Sequence, residues 1–117
     1  MSDILFKMDD YVFSYRVGGL LIHSGNVLMQ KAVDDDGYAI IGGHVAFGET
    51  TTETIIREYK EEIGADINVE RLFMVNESFF PWGSRPCQQI NLYYLVSLKD
   101  EAQIPLDRNF KALDELG

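Results

Sequence analysis

The spacing of apolar positions changes along the chain, and each change predicts an element. Residues 1–10 are a polar lead in which Ile4, Leu5 and Phe6 form one small apolar patch. Over residues 11–22 aromatic, β-branched and aliphatic side chains crowd together, which predicts a strand. Gly18 and Gly19 inside it predict a bulge or a close backbone approach. Ser24-Gly25-Asn26 is a turn signal, and residues 27–33 return as the second arm of a hairpin. Asp34-Asp35-Asp36-Gly37 reads as a solvated loop, because its spacing is not that of an EF-hand. Residues 38–41 are a short strand that delivers the chain to Gly42-Gly43.

The period then becomes helical. Thr50 with Glu53 three residues on makes a capping box, and Gly64 suits the left-handed position that closes a helix, so residues 51–63 form one. Ile55, Ile56, Tyr59 and Ile63 fill the arc expected to face a core. Beyond the helix, residues 65–69 and 72–80 carry strand composition, and Pro81-Trp82-Gly83-Ser84 reads as a loop. Residues 88–98 end in an apolar run that predicts a buried strand, and Lys99-Asp100-Glu101 is a turn. The elements describe an α+β domain with a mixed sheet and one well-defined helix. No repeat, low-complexity tract or interdomain linker divides the 117 residues, so one domain is expected.

The helix has a second face that needs an explanation. Glu58, Glu61 and Glu62 fall on one stripe, where like charges repel by a few tenths of a kcal/mol per close pair. A divalent cation would offset that repulsion, since Mg2+ takes carboxylate oxygens and fills its other positions with water and phosphate. An ordinary solvated face with an Arg57–Glu61 pair would account for these residues taken alone. The surrounding pattern decides otherwise. Gly43, five residues, Glu49, seven residues, Arg57-Glu58, an apolar and a variable residue, Glu61-Glu62, one residue and Gly64 fill seven fixed positions. At average residue usage that match arises by chance in roughly one window in a hundred million.

This 43–65 stretch resembles the Nudix box, and the chain is identified as a member of the Nudix hydrolase family on that resemblance. The resemblance implies the Nudix fold, an α/β/α sandwich with a mixed β-sheet core, the box forming its loop-helix-loop. It also implies a second helix near the C-terminus, which the sequence FKALDELG approaches. The expectation there is a trimmed chain or an unusually short last helix. The implied reaction is attack of water on a phosphoanhydride bond in a nucleoside diphosphate linked to another group, with Mg2+ or Mn2+ as cofactor. Glu58, Glu61 and Glu62 match the family's metal-ligand positions, with the Gly42 carbonyl as a further ligand. Which carboxylate serves as base varies in the family and stays open.

Glu49 and Arg57 are expected to brace the loop against the helix, eight positions separating them. Gly43 and Gly48 are expected to permit backbone turns. Arg16, Lys31 and His44 are candidate phosphate or substrate contacts, and Trp82, Phe79, Phe80 and Tyr38 are candidate stacking residues. For each of these a surface, ion-pair or core role competes. Three departures from the common family pattern stand out: Ile41 in place of a proline, Ala46 in place of a glutamate, and Gln88 or Gln89 nearest a later-strand glutamate. Pro81, sixteen residues past Ala65, has a spacing similar to that of ADP-ribose-cleaving members.

Composition narrows the partners. A net charge of −9 and a pI near 4.5 argue against passive attraction to nucleic-acid polymers or anionic membranes. An acidic protein that handles phosphates needs metal or a few placed cations. Cys87 is the lone cysteine, so no intramolecular disulfide forms, and no leader or membrane-span pattern is present; a cytoplasmic location is the expectation. A small-molecule nucleotide is the expected partner, with a homodimer as a state common in the family. Two other functions compete with the enzyme: a non-catalytic nucleotide-binding regulatory module, and an acidic metal-buffering domain.

Overall fold

The computed structural model describes residues 2–31 and 37–106. Among them lie β1 (Leu5–Lys7), β2 (Val12–His23), β3 (Asn26–Val27), β4 (Met29–Gln30), β5 (Ala39–His44), α1 (Thr51–Ile63), β6 (Ile67–Trp82), β7 (Arg85–Leu98) and a 3-10 turn at Glu101–Gln103. The expected Asp34–Asp36 loop and the expected C-terminal helix fall outside the described residues.

The strand order is β4-β5-β2-β7-β6, and the sheet is mixed because β2 and β7 run parallel while the other pairs are antiparallel. The long strand β2 is the axis. One of its edges carries β7 from Val12 to Leu21, and the other is shared by β1, β5 and β3 in succession. The expected hairpin arm after Ser24-Gly25 is therefore split. Asn26 and Val27 return along β2, whereas Met29 and Gln30 leave it to pair with β5.

Gly18 and Gly19 do not make a bulge. Both stay in register with β5 and β7, and the close approach is the correct alternative: a Cβ on Gly19 would sit 2.7 Å from the Tyr59 ring. Tyr59 lies across that gap and donates its hydroxyl to the Gly19 carbonyl at 2.8 Å. The polar lead also differs from expectation. β1 pairs with β2, and Ile4 and Ser2 exchange backbone bonds with Val45 and Phe47, so the first residues strap the loop ahead of α1.

The helix begins and ends as its sequence predicts. Thr50 accepts from the Glu53 amide, Glu53 accepts from the Thr50 amide, and Gly64 closes the helix at φ 70°. Its buried face is shifted from the expected arc. Thr54, Ile55, Tyr59, Glu62 and Ile63 are buried, whereas Ile56 is 43% exposed. At about 100° per residue Glu62 falls at the middle of that buried arc and Ile56 just beyond its rim. Ile55, Tyr59 and Ile63 pack on Val17, Leu21, Ile41, Val45, Ile67 and Val96. Each fully buried aliphatic side chain there contributes about 1.5–3 kcal/mol relative to exposure.

β6 is longer than its composition predicts. The two expected strands are one, irregular between Val69 and Arg71 and between Leu72 and Met74, and the expected 81–84 loop shrinks to a turn at Gly83-Ser84 because Pro81 and Trp82 still pair with Pro86 and Arg85. No described helix is long and apolar enough to cross a membrane.

Candidate active site

The site is assembled where β5 passes beneath α1. β5 does not turn at Gly42-Gly43 but continues to His44, each residue paired with β2. Gly43 therefore has a different use from the expected turn. A Cβ there would overlap the Glu58 carboxylate, so the missing side chain is the space that Glu58 occupies. The left-handed turn belongs to Gly48, at φ 86°.

Glu58 is only 16% exposed, and burial pushes its carboxyl above the usual carboxylate range. Arg57 works against that shift, while the charges of Glu61 and Asp3 add to it. A carboxylate held in such a place gains from any cation brought to it. Arg57 is committed elsewhere. Its Nε donates to Glu49 Oε2 at 3.0 Å, its Nη2 to Glu49 Oε1 at 3.1 Å, and its Nη1 to Glu61 at 3.1 Å. Glu49 also accepts from the Thr54 hydroxyl at 2.8 Å, and the Arg57 bonds hold its carboxyl below the ordinary range. The same bonds raise Arg57 further above its already high value. Arg57 thus ties the loop to the helix through Glu49 and reaches along the helix to Glu61.

Glu62 lies buried beside Tyr59, whose hydroxyl burial holds well above the ordinary phenol range with the Glu62 charge adding to it. Glu61 is 57% exposed. Among the described residues no three His, Cys, Asp or Glu side chains converge closely enough to enclose a metal ion. The donor set nevertheless fits one in kind. Three carboxylates, all hard oxygen donors, sit on one helix, with Glu58 seated against Gly43 in a cradle that a Cβ would fill.

Residues of β2, β5 and β7 border a cavity of ≈350 Å³ lined in part by Arg16, Gly42, Tyr38, Asn91 and Tyr93. Arg16 belongs to both regions, since it lines the cavity and its charge acts on Glu58 and His44. His44 faces Ser14, Nε2 to Oγ at 3.1 Å, and Ser14 donates its proton to Gln89 at 3.0 Å. His44 Nδ1 lies 4.0 Å from Asp3 Oδ2. Burial, then Arg16, lowers the imidazole below its usual value, and Asp3 opposes them.

Lys31 is exposed just past β4 and is not among the cavity's residues. Trp82 stands at the tip of the β6–β7 hairpin. Its partner Arg85 is six residues along β7 from Asn91, roughly 20 Å at strand rise, so Trp82 is apart from this cavity. Tyr38 lines the cavity, whereas Phe79 and Phe80 line a separate apolar hollow. Sequence reasoning missed Asp3, Ser14, Asn91 and Tyr93. Asn91 did leave a signal, being the one amide within the apolar run INLYYLVSL. Asp3 left none, because only the pairing of the first residues with the 45–47 loop brings it here.

Compared with known protein families, the chain matches the NUDIX domain model over residues 13–116. The chain belongs to the Nudix family. Its α+β fold, a mixed sheet with α1 against it, is also that of solved Nudix structures. A UDP-X diphosphatase superposes with a TM-score of 0.67 at 23% identity, over 86% of this chain and 48% of that one. This chain thus spans about half the length of that protein. The Escherichia coli dihydroneopterin triphosphate pyrophosphohydrolase gives 0.62 at 20% identity, over 84% and 77% of the two chains. An ADP-ribose pyrophosphatase from Streptococcus suis gives 0.61 at 15%, over 86% and 69%.

Proposed function

We propose that this Nudix chain is a divalent-metal-dependent hydrolase that cleaves a phosphoanhydride bond in a nucleoside diphosphate linked to a further group. The observation that carries this reading is the seating of Glu58 in the space left by Gly43, with Arg57 bracing Glu49 beside it. Glu58, Glu61 and Glu62, with the Gly42 carbonyl, are the groups that would hold Mg2+ or Mn2+. The cation supplies neutralisation of phosphoryl charge and a more acidic water when bound.

The chain's own residues do the rest. Arg57 fixes the loop so that the carboxylates of α1 keep one position relative to β5, and the protein need not reorganise as charge develops. Arg16, which lines the cavity and whose charge acts on Glu58, would meet a substrate phosphate that bridges the two regions. Tyr38, 66% exposed at the cavity rim, offers a ring face to a base. Ser14, itself bonded to Gln89, holds the His44 ring in one orientation, and His44 is a candidate substrate contact in that orientation.

A non-catalytic nucleotide-binding module is the second reading, because the three carboxylates do not converge and Glu61 is engaged by Arg57. One experiment separates the two. Nucleotide sugars, ADP-ribose, dNTPs, oxidised dNTPs and dinucleoside polyphosphates are incubated with Mg2+ or Mn2+, and products are resolved by chromatography for wild type and Glu62→Gln. Turnover of one compound that the variant loses supports the hydrolase and names its substrate class. Binding without turnover across the panel supports the regulatory module.

A further inference from the structure

The two glycines of β2 turn to opposite sides of the sheet. Gly19 turns toward α1, where a Cβ would meet the Tyr59 ring. Gly18 turns the other way, where a Cβ would lie 3.1 Å from the Tyr93 ring and 3.4 Å from Ile40. Tyr93 is thus laid against the bare backbone of Gly18, its partner in the parallel β2–β7 register. Asn91, two residues earlier on the same strand and so on the same side, donates its Nδ2 to the Tyr93 hydroxyl at 3.2 Å. Neither residue belongs to the core beneath α1, which takes Leu92 and Tyr94 from this strand instead. Both line the ≈350 Å³ cavity together with Arg16, the residue opposite Asn91 in register. A ring seated by packing, with its hydroxyl held by a neighbouring amide, is prepared for reading a ligand rather than for filling a core.

We propose that Tyr93, oriented by Asn91, selects nucleotides whose base offers a ring carbonyl: uracil over cytosine, and hypoxanthine over adenine. A phenol oxygen that accepts the amide proton keeps its own proton to give. Arg16 also brings donors only, while Asn91 Oδ1 is buried without a hydrogen-bond partner and so is no acceptor for a ligand. The reversed amide would set an NH2 group near the guanidinium across the register, so the orientation with Nδ2 on Tyr93 is the favoured one. A base carbonyl accepts from the Tyr93 hydroxyl. An amino group in the same place meets it donor to donor and leaves the hydroxyl unpaired. The inference rests on the reading that a nucleotide occupies this cavity, which the hydrolase and the binding module share.

Calorimetric titration of the full chain with UDP, CDP, IDP and ADP in Mg2+ tests it, beside a chromatographic assay of matched UDP- and CDP-linked sugars. The wild type should bind UDP at least about tenfold more tightly than CDP, and IDP more tightly than ADP. Tyr93→Phe keeps the ring over Gly18 and removes the hydroxyl, so the UDP-to-CDP ratio should fall within about twofold through weaker UDP binding. Asn91→Ala releases the hydroxyl and should lower the same ratio at least about threefold, whereas a merely structural role would weaken all four nucleotides alike. Circular dichroism checks that each variant is folded, and either variant suffices for the test. Equal affinities in the wild type, or a ratio that neither variant changes, would overturn the inference even where hydrolysis is observed. A preference for CDP and ADP would overturn it too, by showing that Tyr93 gives its proton to Asn91. Selective UDP binding without turnover would uphold it and set aside the hydrolase, and failure of all four to bind would overturn the nucleotide reading and this inference together.

Discussion

The two long-range features of this molecule, the β5–α1 junction and the β6–β7 arm, solve opposite problems. At the junction Glu49 and Glu58 are drawn out of water, Glu49 answered by Arg57 and Thr54 and Glu58 seated in the room Gly43 leaves, while Arg57 also reaches the exposed Glu61. In the arm apolar groups are left in water. The junction spends stability on placing charge, so a substitution there should be felt in both stability and chemistry. The arm has backbone pairing to spare, and substitutions on its outer surface should cost little to the fold.

The contrast is tested most strongly at Gly43. Gly43→Ala should displace the Glu58 carboxylate and lower turnover about a hundredfold, the usual cost of misplacing a reacting group by an ångström. Its thermal midpoint should move little if Glu58 simply swings outward; a lost fold instead would show that the cradle is a packing requirement. Steady-state rates beside a melting curve distinguish the outcomes.

Arg57→Ala should cost both stability and turnover, because it frees the loop that Glu49 ties to the helix. It leaves Glu49, 13% exposed, with Thr54 as its remaining partner, at about 1–3 kcal/mol by chemical denaturation. Arg57→Lys should not restore the loss, because one ammonium cannot reproduce the forked contact to two carboxylates.

The pH dependence separates two carboxylates of the same helix-loop unit. The depressed carboxyl of Glu49 contributes stability that is full above the ordinary carboxylate range and is lost as pH falls through its lowered value. The raised carboxyl of Glu58 acts in the other sense: its charged form is disfavoured, and acidification through its raised value relieves that penalty. Glu49→Gln should therefore flatten the acid limb of stability against pH, and Glu58→Gln should raise the melting point near neutrality without metal. A Glu58→Gln variant less stable at neutral pH would contradict the burial argument.

The smallest effects come from paired surface changes. Thr50→Ala should remove the capping box and cost about 1 kcal/mol. Phe79→Ala, on a far larger side chain, should stay within about 0.5 kcal/mol in dilute solution because the ring is 74% exposed. Reversal of that order in denaturant titrations would mean that the arm is held by contacts the fold does not display.

Much of the junction was legible in sequence because its determinants are local. The capping box, the Gly64 stop and the Arg57–Glu61 spacing are set by helix geometry within a few residues, and the Glu49–Arg57 bond spans one loop. The misreadings share a cause. Gly43 reads as a turn because glycine usually signals one, and only the passage of α1 over β5 shows that its use is empty space. Ile56 reads as core because it is apolar, whereas the sheet fixes the helix rotation so that Glu62 is turned inward instead.

The sequence by itself determined the family, the helix with both its ends, and the residue types available for chemistry, since these depend on identities and spacing along one stretch of chain. Tertiary structure alone decided that Asp3 and Arg16 act on Glu58, that Ser14 and Gln89 orient His44, and that Trp82 stands apart at a hairpin tip. Those relations depend on which strands become neighbours and in what register, and strand pairing joins residues far apart in sequence through backbone bonds that any side chain permits.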